Sequence, residues 1–210
     1  WSLDDKYIFY SKLDKYHRPK KIYRHKIGSS PKDDQLIFEE KDEGFTCSID
    51  ISSDEKYYIV STSDHTSSEV HFFNVKEINI KPKLFKKRQK EVRYSIDSWN
   101  GNFFIHTNLD AEDFKICMCK HDSIQNWKDY IPATKGVLIG GFNLLNEWMI
   151  RSEVRDALSK LYVRNLNIDS EEELIITEEK VISSGASLMQ KDRNTNKIYV
   201  AYHSPRTPGY

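Results

Sequence analysis

The chain has 210 residues, and its 32 Lys and Arg side chains balance its 32 Asp and Glu side chains. This balance leaves no overall field that would draw the chain to nucleic acid or to an acidic membrane surface. No apolar run approaches the roughly 20 residues that a membrane-spanning helix needs, and no leader pattern opens the chain. We therefore expect a soluble, cytoplasmic protein of one domain, or at most two.

The cysteine pattern favours free thiols. There are three cysteines, an odd number, and Cys117 and Cys119 are separated by one residue, which suits a reducing compartment better than a disulfide framework. Zinc sites usually leave two to four residues between cysteines and need further ligands. Packing is therefore favoured over metal binding, and no metal or cofactor is predicted.

A turn followed by a strand returns along the chain. It first appears in Asp4–Phe9 (DDKYIF) and comes back in Asp54–Ile59 (DEKYYI), about 50 residues later. Further copies begin at Asn100, Asn146 and Asn196, again at spacings of roughly 46 to 50 residues. Asp and Asn side chains bond the backbone two residues on and tolerate left-handed dihedrals. Each copy therefore predicts a tight turn that enters a strand.

Other short apolar runs keep a similar period. A second series falls between the copies of the first, at Lys21–Arg24, Val70–Phe73, Lys115–Met118 and Lys160–Val163. The remaining runs are Leu36–Phe38, Thr46–Ile51, Leu84–Phe85, Val92–Ile96 and Leu174–Ile176. Each period thus holds about four short strands rich in Tyr, Phe, Ile and Val, separated by turn residues.

Four antiparallel strands in each repeat of 40 to 50 residues is the pattern of a β-propeller, in which every repeat forms one blade. A β-sandwich would explain the composition but not the period. We therefore predict an all-β fold with about four and a half four-stranded blades. The first residue, Trp1, falls inside a repeat and is not Met, so we expect a piece of a longer protein.

Several longer segments carry a family resemblance. In order, these are RPKKIYRHKIGSS (Arg18–Ser30), DQLIFEEKDEGF (Asp34–Phe45), HTSSEVHFF (His65–Phe73) and GFNLLNEWMI (Gly141–Ile150). As a set they resemble the propeller domain of the oligopeptidase B group, within the prolyl oligopeptidase family of serine peptidases. The resemblance extends over essentially the whole chain.

The resemblance implies a seven-bladed propeller that covers an α/β-hydrolase domain and admits only short peptides. It also implies cleavage after Arg or Lys by a Ser, Asp and His triad. Residues 1–210 would then be part of one propeller domain, with the hydrolase domain absent from this chain. The implied partners are short basic peptides and that hydrolase domain, with self-association through uncovered blades. The alternative is a free-standing propeller that binds a protein or a peptide.

No catalytic residue is predicted in this chain. The nucleophile of an α/β-hydrolase needs the sharp turn written Gly-x-Ser-x-Gly, because only small residues permit that strained backbone. None of the eight glycines completes this motif. The nearest approach, Gly185–Met189, fails at its last position and lies inside the propeller repeat. The chain alone should therefore hydrolyse no peptide.

Two charged stretches are weighed as binding sites. Residues 81–90 (KPKLFKKRQK) carry six basic side chains and could bind a polyanion. A solvated loop that discourages edge pairing is favoured instead. No nucleic-acid partner is therefore predicted. The acidic side chains Glu39, Glu40, Asp42 and Glu43 could attract basic peptides, but a solvated loop is again favoured.

Two further sets of polar side chains are not ranked as sites. Arg151, Glu153, Arg155 and Asp156 cluster after a predicted strand and could form salt bridges to a hydrolase domain. The histidines lack a ligand spacing and are predicted to be turn or strand residues. They include His25, His65, His71, His106 and His203.

Overall fold

The computed structural model describes residues 1–168, 170–175, 183–187, 195 and 197–203, with the backbone alone for 183–187 and 202–203. Within these ranges the chain is built from β-strands, with one short 3₁₀ helix at Pro31–Asp33. The predicted all-β fold class is confirmed. In this part of the chain there is no helix with the length and apolarity to cross a membrane.

The described strands form five antiparallel sheets, each with its strands in chain order. The first sheet contains β1 (Tyr7–Leu13), β2 (Pro19–Lys26) and β3 (Gln35–Glu39). The second contains β4 (Thr46–Ile51), β5 (Tyr57–Ser63), β6 (Ser68–Asn74) and β7 (Lys83–Lys86). The third contains β8 (Tyr94–Trp99), β9 (Asn102–Thr107), β10 (Lys115–Lys120) and β11 (Lys128–Ile131). The fourth contains β12 (Val137–Leu145), β13 (Trp148–Arg155), β14 (Leu158–Asn165) and β15 (Glu171–Glu173), and the fifth β16 (Ser183–Ser187) and β17 (Tyr199–His203).

The chain divides into two compact units. One comprises Trp1–Leu109 and Met118–Lys128, and the other comprises Asp110–Cys117 and Asp129–Tyr210. In the first unit, an apolar cluster centred on Ile22, Cys47 and Val60 joins the first sheet to the second. Because sheets with two apolar faces must be covered on both, this packing is what a series of stacked blades requires.

The repeated turn has the geometry that its sequence predicts. Ser52 N donates to Tyr57 O at 2.9 Å and Ser2 N to Tyr7 O at 2.8 Å, which closes the same turn in two sheets. The serine hydroxyl then donates to the acid two residues on, Ser52 Oγ to Asp54 Oδ1 at 2.8 Å. The next residue, Glu55, has a φ of 55°. Local side-chain hydrogen bonds therefore set this turn before any packing is added.

Both predicted strand series are confirmed. The first four copies of the turn enter β1, β5, β9 and β13, the fifth precedes β17 although its Asn196 lies outside the described residues, and the second series falls in β2, β6, β10 and β14. The remaining apolar runs match the bounds of the observed strands less closely. Val92 and Arg93 precede β8, and the strand expected at Leu174–Ile176 is instead β15, Glu171–Glu173.

The sequence analysis placed the last strand of the fourth sheet a few residues too late, and the reason is electrostatic. Glu171 lies opposite Arg164 in the ladder with β14, and its carboxylate also accepts a hydrogen bond from Arg151. Ion pairs therefore align this edge strand, rather than apolar residues. Leu174 and Ile175 follow the strand, and Ile176 lies outside the described residues.

Candidate functional site

The segment nearest to a nucleophile motif is an ordinary strand. Gly185 and Ser187 lie in β16, and Ser187 is paired with Tyr199 in the antiparallel ladder with β17. A nucleophilic serine of this kind needs a sharp turn from a strand into a helix, so the ladder excludes that interpretation. Leu188 and Met189 lie outside the described residues.

A second group of side chains, which the sequence analysis missed, has the composition of a catalytic triad. His121 Nε2 lies 2.9 Å from Ser98 Oγ, and Ser98 Oγ donates to Asp54 Oδ2 at 2.9 Å. In a working triad the carboxylate orients the imidazole and the imidazole takes the serine proton. Here the carboxylate takes that hydrogen bond, and Tyr57 Oη lies 3.2 Å from His121 Nδ1.

This Ser98 group is structural. Ser98 is fully buried, so no substrate carbonyl reaches its hydroxyl, and burial lowers the pKa of His121. The group instead ties the turn before β5 to the start of the third sheet, where Asp54 N also donates to Ser98 O at 3.2 Å. The serine that begins the first three turns, Ser2, Ser52 and Ser98, was the only sequence signal for it.

The four acidic residues near β3 do not form one exposed acidic surface. Glu40 is 7% exposed, and its Oε2 accepts a hydrogen bond from Arg88 Nη2 at 2.6 Å. Glu39 pairs with Lys21 at 2.9 Å. Two of the four acidic charges considered for binding basic peptides are therefore paired within the chain, Glu40 in a buried ion pair and Glu39 in an exposed one.

The side chains of the other two acids, Asp42 and Glu43, are exposed, and their backbone carbonyl oxygens accept hydrogen bonds from cations. Lys20 Nζ donates to the Asp42 carbonyl oxygen at 2.5 Å, and Arg18 Nη1 donates to the Glu43 carbonyl oxygen at 2.6 Å. The Asp42 side chain accepts from Gly44 N at 2.9 Å. This segment is therefore a hydrogen-bonded turn between the first two sheets.

The basic stretch 81–90 is only partly a solvated loop. Lys83–Lys86 is strand β7, and Phe85 within it is fully buried. The Lys86 ammonium lies 4.2 Å from the centre of the Trp127 ring, a cation–π contact. Since Arg88 belongs to an internal ion pair as well, the surface left for a polyanion is smaller than the sequence indicated.

Arg88 is the centre of a buried charged group that we call the Arg88 cluster, formed by Glu40, Glu69, His71 and Arg88. Arg88 Nη2 lies 3.2 Å from Glu69 Oε1, and the guanidinium carbon lies 3.9 Å from the centre of the Phe45 ring. Burial by itself raises the pKa of Glu69, but hydrogen bonds from Arg88 outweigh it and hold that pKa below its ordinary value. The cluster joins β6 and the segments that follow β3 and β7.

A second charged group, the Arg151 cluster, lies in the fourth sheet. Arg151 Nε donates to Glu153 Oε1 at 2.8 Å, and Arg151 Nη1 lies 2.5 Å from Glu171 Oε2. The Arg151 and Glu153 side chains are only 5% and 4% exposed. Arg155 is 45% exposed, so among the four residues considered for interdomain contacts, the two buried ones are committed within the sheet.

The cysteines and histidines have structural surroundings. Cys47, Cys117 and Cys119 are buried thiols outside any disulfide, and burial raises the pKa of Cys47 to about 11. In the described part of the chain, no group of three or more side chains is arranged to hold a metal ion. The predicted packing role of the cysteines is confirmed.

Among the histidines, His25 Nδ1 lies 2.6 Å from Asp34 Oδ1, and His65 is exposed. His71 belongs to the Arg88 cluster, and His106 and His203 lie in β9 and β17. They therefore occupy strands and turns in different sheets, as the sequence analysis predicted.

Comparison with known proteins places this arrangement in a family. The family described as "Prolyl oligopeptidase, N-terminal beta-propeller domain" matches residues 1–210. The chain is 26% identical over 208 residues to Protease 2 of Moraxella lacunata, covering 99% of this chain and 30% of that protein. It is 28% identical over 212 residues to dipeptidyl aminopeptidase BI of Pseudoxanthomonas mexicana, covering 99% of this chain and 29% of that protein. The chain therefore spans a little under a third of these relatives' length.

Solved structures show the same fold. Oligopeptidase B from Trypanosoma brucei, in a closed form with covalently bound antipain, matches with a TM-score of 0.93 at 23% identity, over 100% of this chain and 31% of that one. Oligopeptidase B from Leishmania major matches with a TM-score of 0.89 at 17% identity, over 96% of this chain and 30% of that one. The four-stranded antiparallel sheets are thus blades of a β-propeller, and the chain belongs to the prolyl oligopeptidase family as part of its N-terminal β-propeller domain.

Proposed function

We propose that this chain is the propeller portion of an oligopeptidase B-like serine endopeptidase that cleaves short peptides after Arg or Lys, and that it restricts which substrates reach the active site. The observation that carries the proposal is the match over the full chain to the propeller domain of peptidases about three times longer. The similarity to Protease 2 and the fold shared with oligopeptidase B favour this group. In the proposal, residues 1–210 belong to one domain, and a hydrolase domain elsewhere in the protein supplies the triad.

The size restriction is tested on the whole protein that carries this chain. The same Arg-containing sequence is offered as a short free peptide and as a loop within a stably folded protein. We expect hydrolysis of the short peptide and loss of nearly all kcat/KM for the folded substrate, because the propeller excludes it. Equal kcat/KM values would contradict the gating role while leaving the peptidase activity intact.

The chain by itself should be inactive. With fluorogenic peptides that end in Arg or Lys, we expect no hydrolysis above the uncatalysed rate, because Ser187 lies in a β ladder and Ser98 is fully buried. Ser187→Ala and Ser98→Ala serve as matched controls and should show the same background. Turnover by the parent chain would overturn this expectation, and its loss in one variant would identify the nucleophile.

A free-standing peptide-binding propeller remains the alternative function. The reading frame around this segment separates the two: a downstream Gly-x-Ser-x-Gly, followed by Asp and His, favours the peptidase. A stop soon after Tyr210, together with saturable binding of a basic peptide to the chain alone, would favour the binding module. For either function we propose a cytoplasmic location, which the three buried thiols outside any disulfide support.

We also propose that the isolated chain self-associates through the open edge of β1. In the second, third and fourth sheets a strand precedes and covers the equivalent edge, but β1 is the end strand of the first sheet. Tyr10 and Leu13 on β1 are 37% and 51% exposed. Unpaired strand edges beside exposed apolar side chains template pairing with another chain.

The self-association is measurable by sedimentation velocity over a concentration series. The Tyr7 carbonyl oxygen faces the open side of β1, where it accepts a hydrogen bond from Ser2 N. In an antiparallel ladder every second residue points its backbone N–H and C=O to the same side, so the Ser11 N–H also faces the open side. Ser11→Pro removes this donor and should shift the chain toward monomer, while Ser11→Ala should not. A strictly monomeric parent chain at high concentration would contradict this prediction.

A further inference from the structure

His71 occupies an unusual position between the first and second sheets. It lies on β6, and its ring centre is 4.9 Å from that of Phe38 on β3. Its Nδ1 is buried and has no hydrogen-bond partner, and its Nε2 is 3.9 Å from Glu69 Oε1. An imidazole held without full hydrogen bonding in a buried site is poorly suited to carry a proton.

Three charged groups face this imidazole. Glu69 lies on the same strand, Glu40 follows β3 of the first sheet, and Arg88 follows β7 of the second. Arg88 is shared, since it lies 2.6 Å from Glu40 and 3.2 Å from Glu69. The Arg88–Glu40 ion pair therefore crosses between the two sheets, and Glu69 is the anion within reach of both Arg88 and His71.

We propose that protonation of His71 opens the contact between the first and second sheets, so that this boundary between two blades responds to mildly acidic pH. A proton on His71 places a second cation beside Arg88 and competes for the Glu69 carboxylate. It also leaves a charged N–H at the unpartnered Nδ1 position next to Phe38. When the boundary opens, water solvates the imidazolium. This weakens its repulsion from Arg88, ends the competition for Glu69 and gives the Nδ1–H a partner.

The contact on the other side of the second sheet contains a histidine of a different kind, because His121 has a partner at each ring nitrogen, Tyr57 Oη at 3.2 Å and Ser98 Oγ at 2.9 Å. There, Phe72 packs on Phe103 with ring centres 5.2 Å apart, and Phe85 packs on Phe103 at the same distance. These aromatic pairs carry no charge that changes with pH. The opening that depends on His71 is thus expected at the boundary of the first and second sheets, and the His71 variants separate it from any effect of His121.

The direction of the pH effect follows from the two states of the imidazole. Burial lowers the pKa of His71 below its ordinary value of 6.5, the nearby Glu69 carboxylate only partly offsets this, and Arg88 adds to it. The opened state titrates near the ordinary value, so it binds the proton first. The closed boundary is therefore stable at neutral pH and weakens as the pH falls through about 6.5.

Cys47 is a built-in reporter of this opening. It belongs to the apolar cluster that joins the first and second sheets and is 2% exposed. Cys117 and Cys119, on β10, are also buried and report opening elsewhere in the chain. Dithiodipyridine labels thiols even in acid. Mass spectrometry of the labelled peptides then gives the rate of labelling at all three cysteines in one experiment.

The test compares the parent chain with His71→Gln and His71→Phe at each pH. The effect of pH on the labelling reaction itself then cancels in the ratio. Between about pH 7.5 and pH 5.5, the ratio of Cys47 labelling in the parent to that in either variant should rise by up to about tenfold, as one extra bound proton allows. His65→Gln, at an exposed site, is the matched control and should behave as the parent does.

Two outcomes would overturn the proposal. In the first, Cys47 labelling has the same pH dependence in the parent and in both His71 variants. In the second, the ratio of labelling in the parent to that in the His71 variants rises at Cys117 and Cys119 as much as at Cys47, which indicates that His71 affects the whole chain and not this boundary. The readout is independent of peptidase activity, so the result stands apart from the proposed function.

Discussion

Replacing Phe85 with alanine should lower the free energy of unfolding of this chain by about 3 to 5 kcal/mol. Phe85 is fully buried, and its ring centre lies 5.2 Å from that of Phe103 and 5.9 Å from that of Trp127. The alanine variant loses the transfer free energy of the ring, leaves a cavity, and removes several aromatic contacts at once. Urea unfolding followed by far-ultraviolet circular dichroism measures the change as a lower midpoint.

The neighbouring residue provides a matched control. Leu84 precedes Phe85 on β7, points to the opposite face of the strand, and is 40% exposed. Leu84→Ala should cost less than about 1 kcal/mol, because much of its side chain stays in water when the chain folds. Similar costs for the two variants would mean that the aromatic core between the second and third sheets is not what stabilises this unit.

The turns were predictable because their causes are local. Asp54 and Ser52 satisfy the backbone of their own turn, and Asp5, Glu55 and Asn100 each adopt a positive φ. Interactions within five residues leave a sequence signal wherever they recur. Because five copies keep one period, the number and the order of the blades followed from the same signal.

The outer strands were harder to predict because they lack that signal. β11 reads Lys-Asp-Tyr-Ile and β15 reads Glu-Glu-Glu, so neither has an apolar run. Both are edge strands, paired on one side only within the described sheets. Their positions depend on partners along the neighbouring strand, such as Arg164 opposite Glu171, and no window of a few residues contains both partners.

The Arg88 cluster was missed for a related reason. Glu40 and Arg88 are 48 residues apart in the chain, and each lies within a stretch that reads as a solvated loop of one charge sign. Only the stacking of two sheets brings them into one buried pair. The sign of the charges along the sequence therefore indicated two charged surfaces, whereas in the fold Glu40 and Arg88 form an internal ion pair.

The second large effect is expected at Arg151. Replacing Arg151 with leucine should cost about 3 to 5 kcal/mol, because it removes the buried cation of the buried Glu153 carboxylate and leaves only the exposed Arg155 to pair with it. Glu153 is 4% exposed, and the Arg151 guanidinium also lies 4.6 Å from the centre of the Tyr162 ring. The double variant Arg151→Leu with Glu153→Leu removes both charges and should recover most of that loss, since well-packed apolar residues often replace a buried ion pair without cost.

Arg155 on the same strand gives the comparison. It pairs with the same carboxylate at 3.3 Å but is 45% exposed, so Arg155→Leu should change the free energy of unfolding by less than about 1 kcal/mol. Urea midpoints of the three variants are compared with that of the parent chain. If the double variant were as unstable as Arg151→Leu alone, the loss would come from the packing of Arg151 on Tyr162, and the argument from an unpaired buried charge would be wrong.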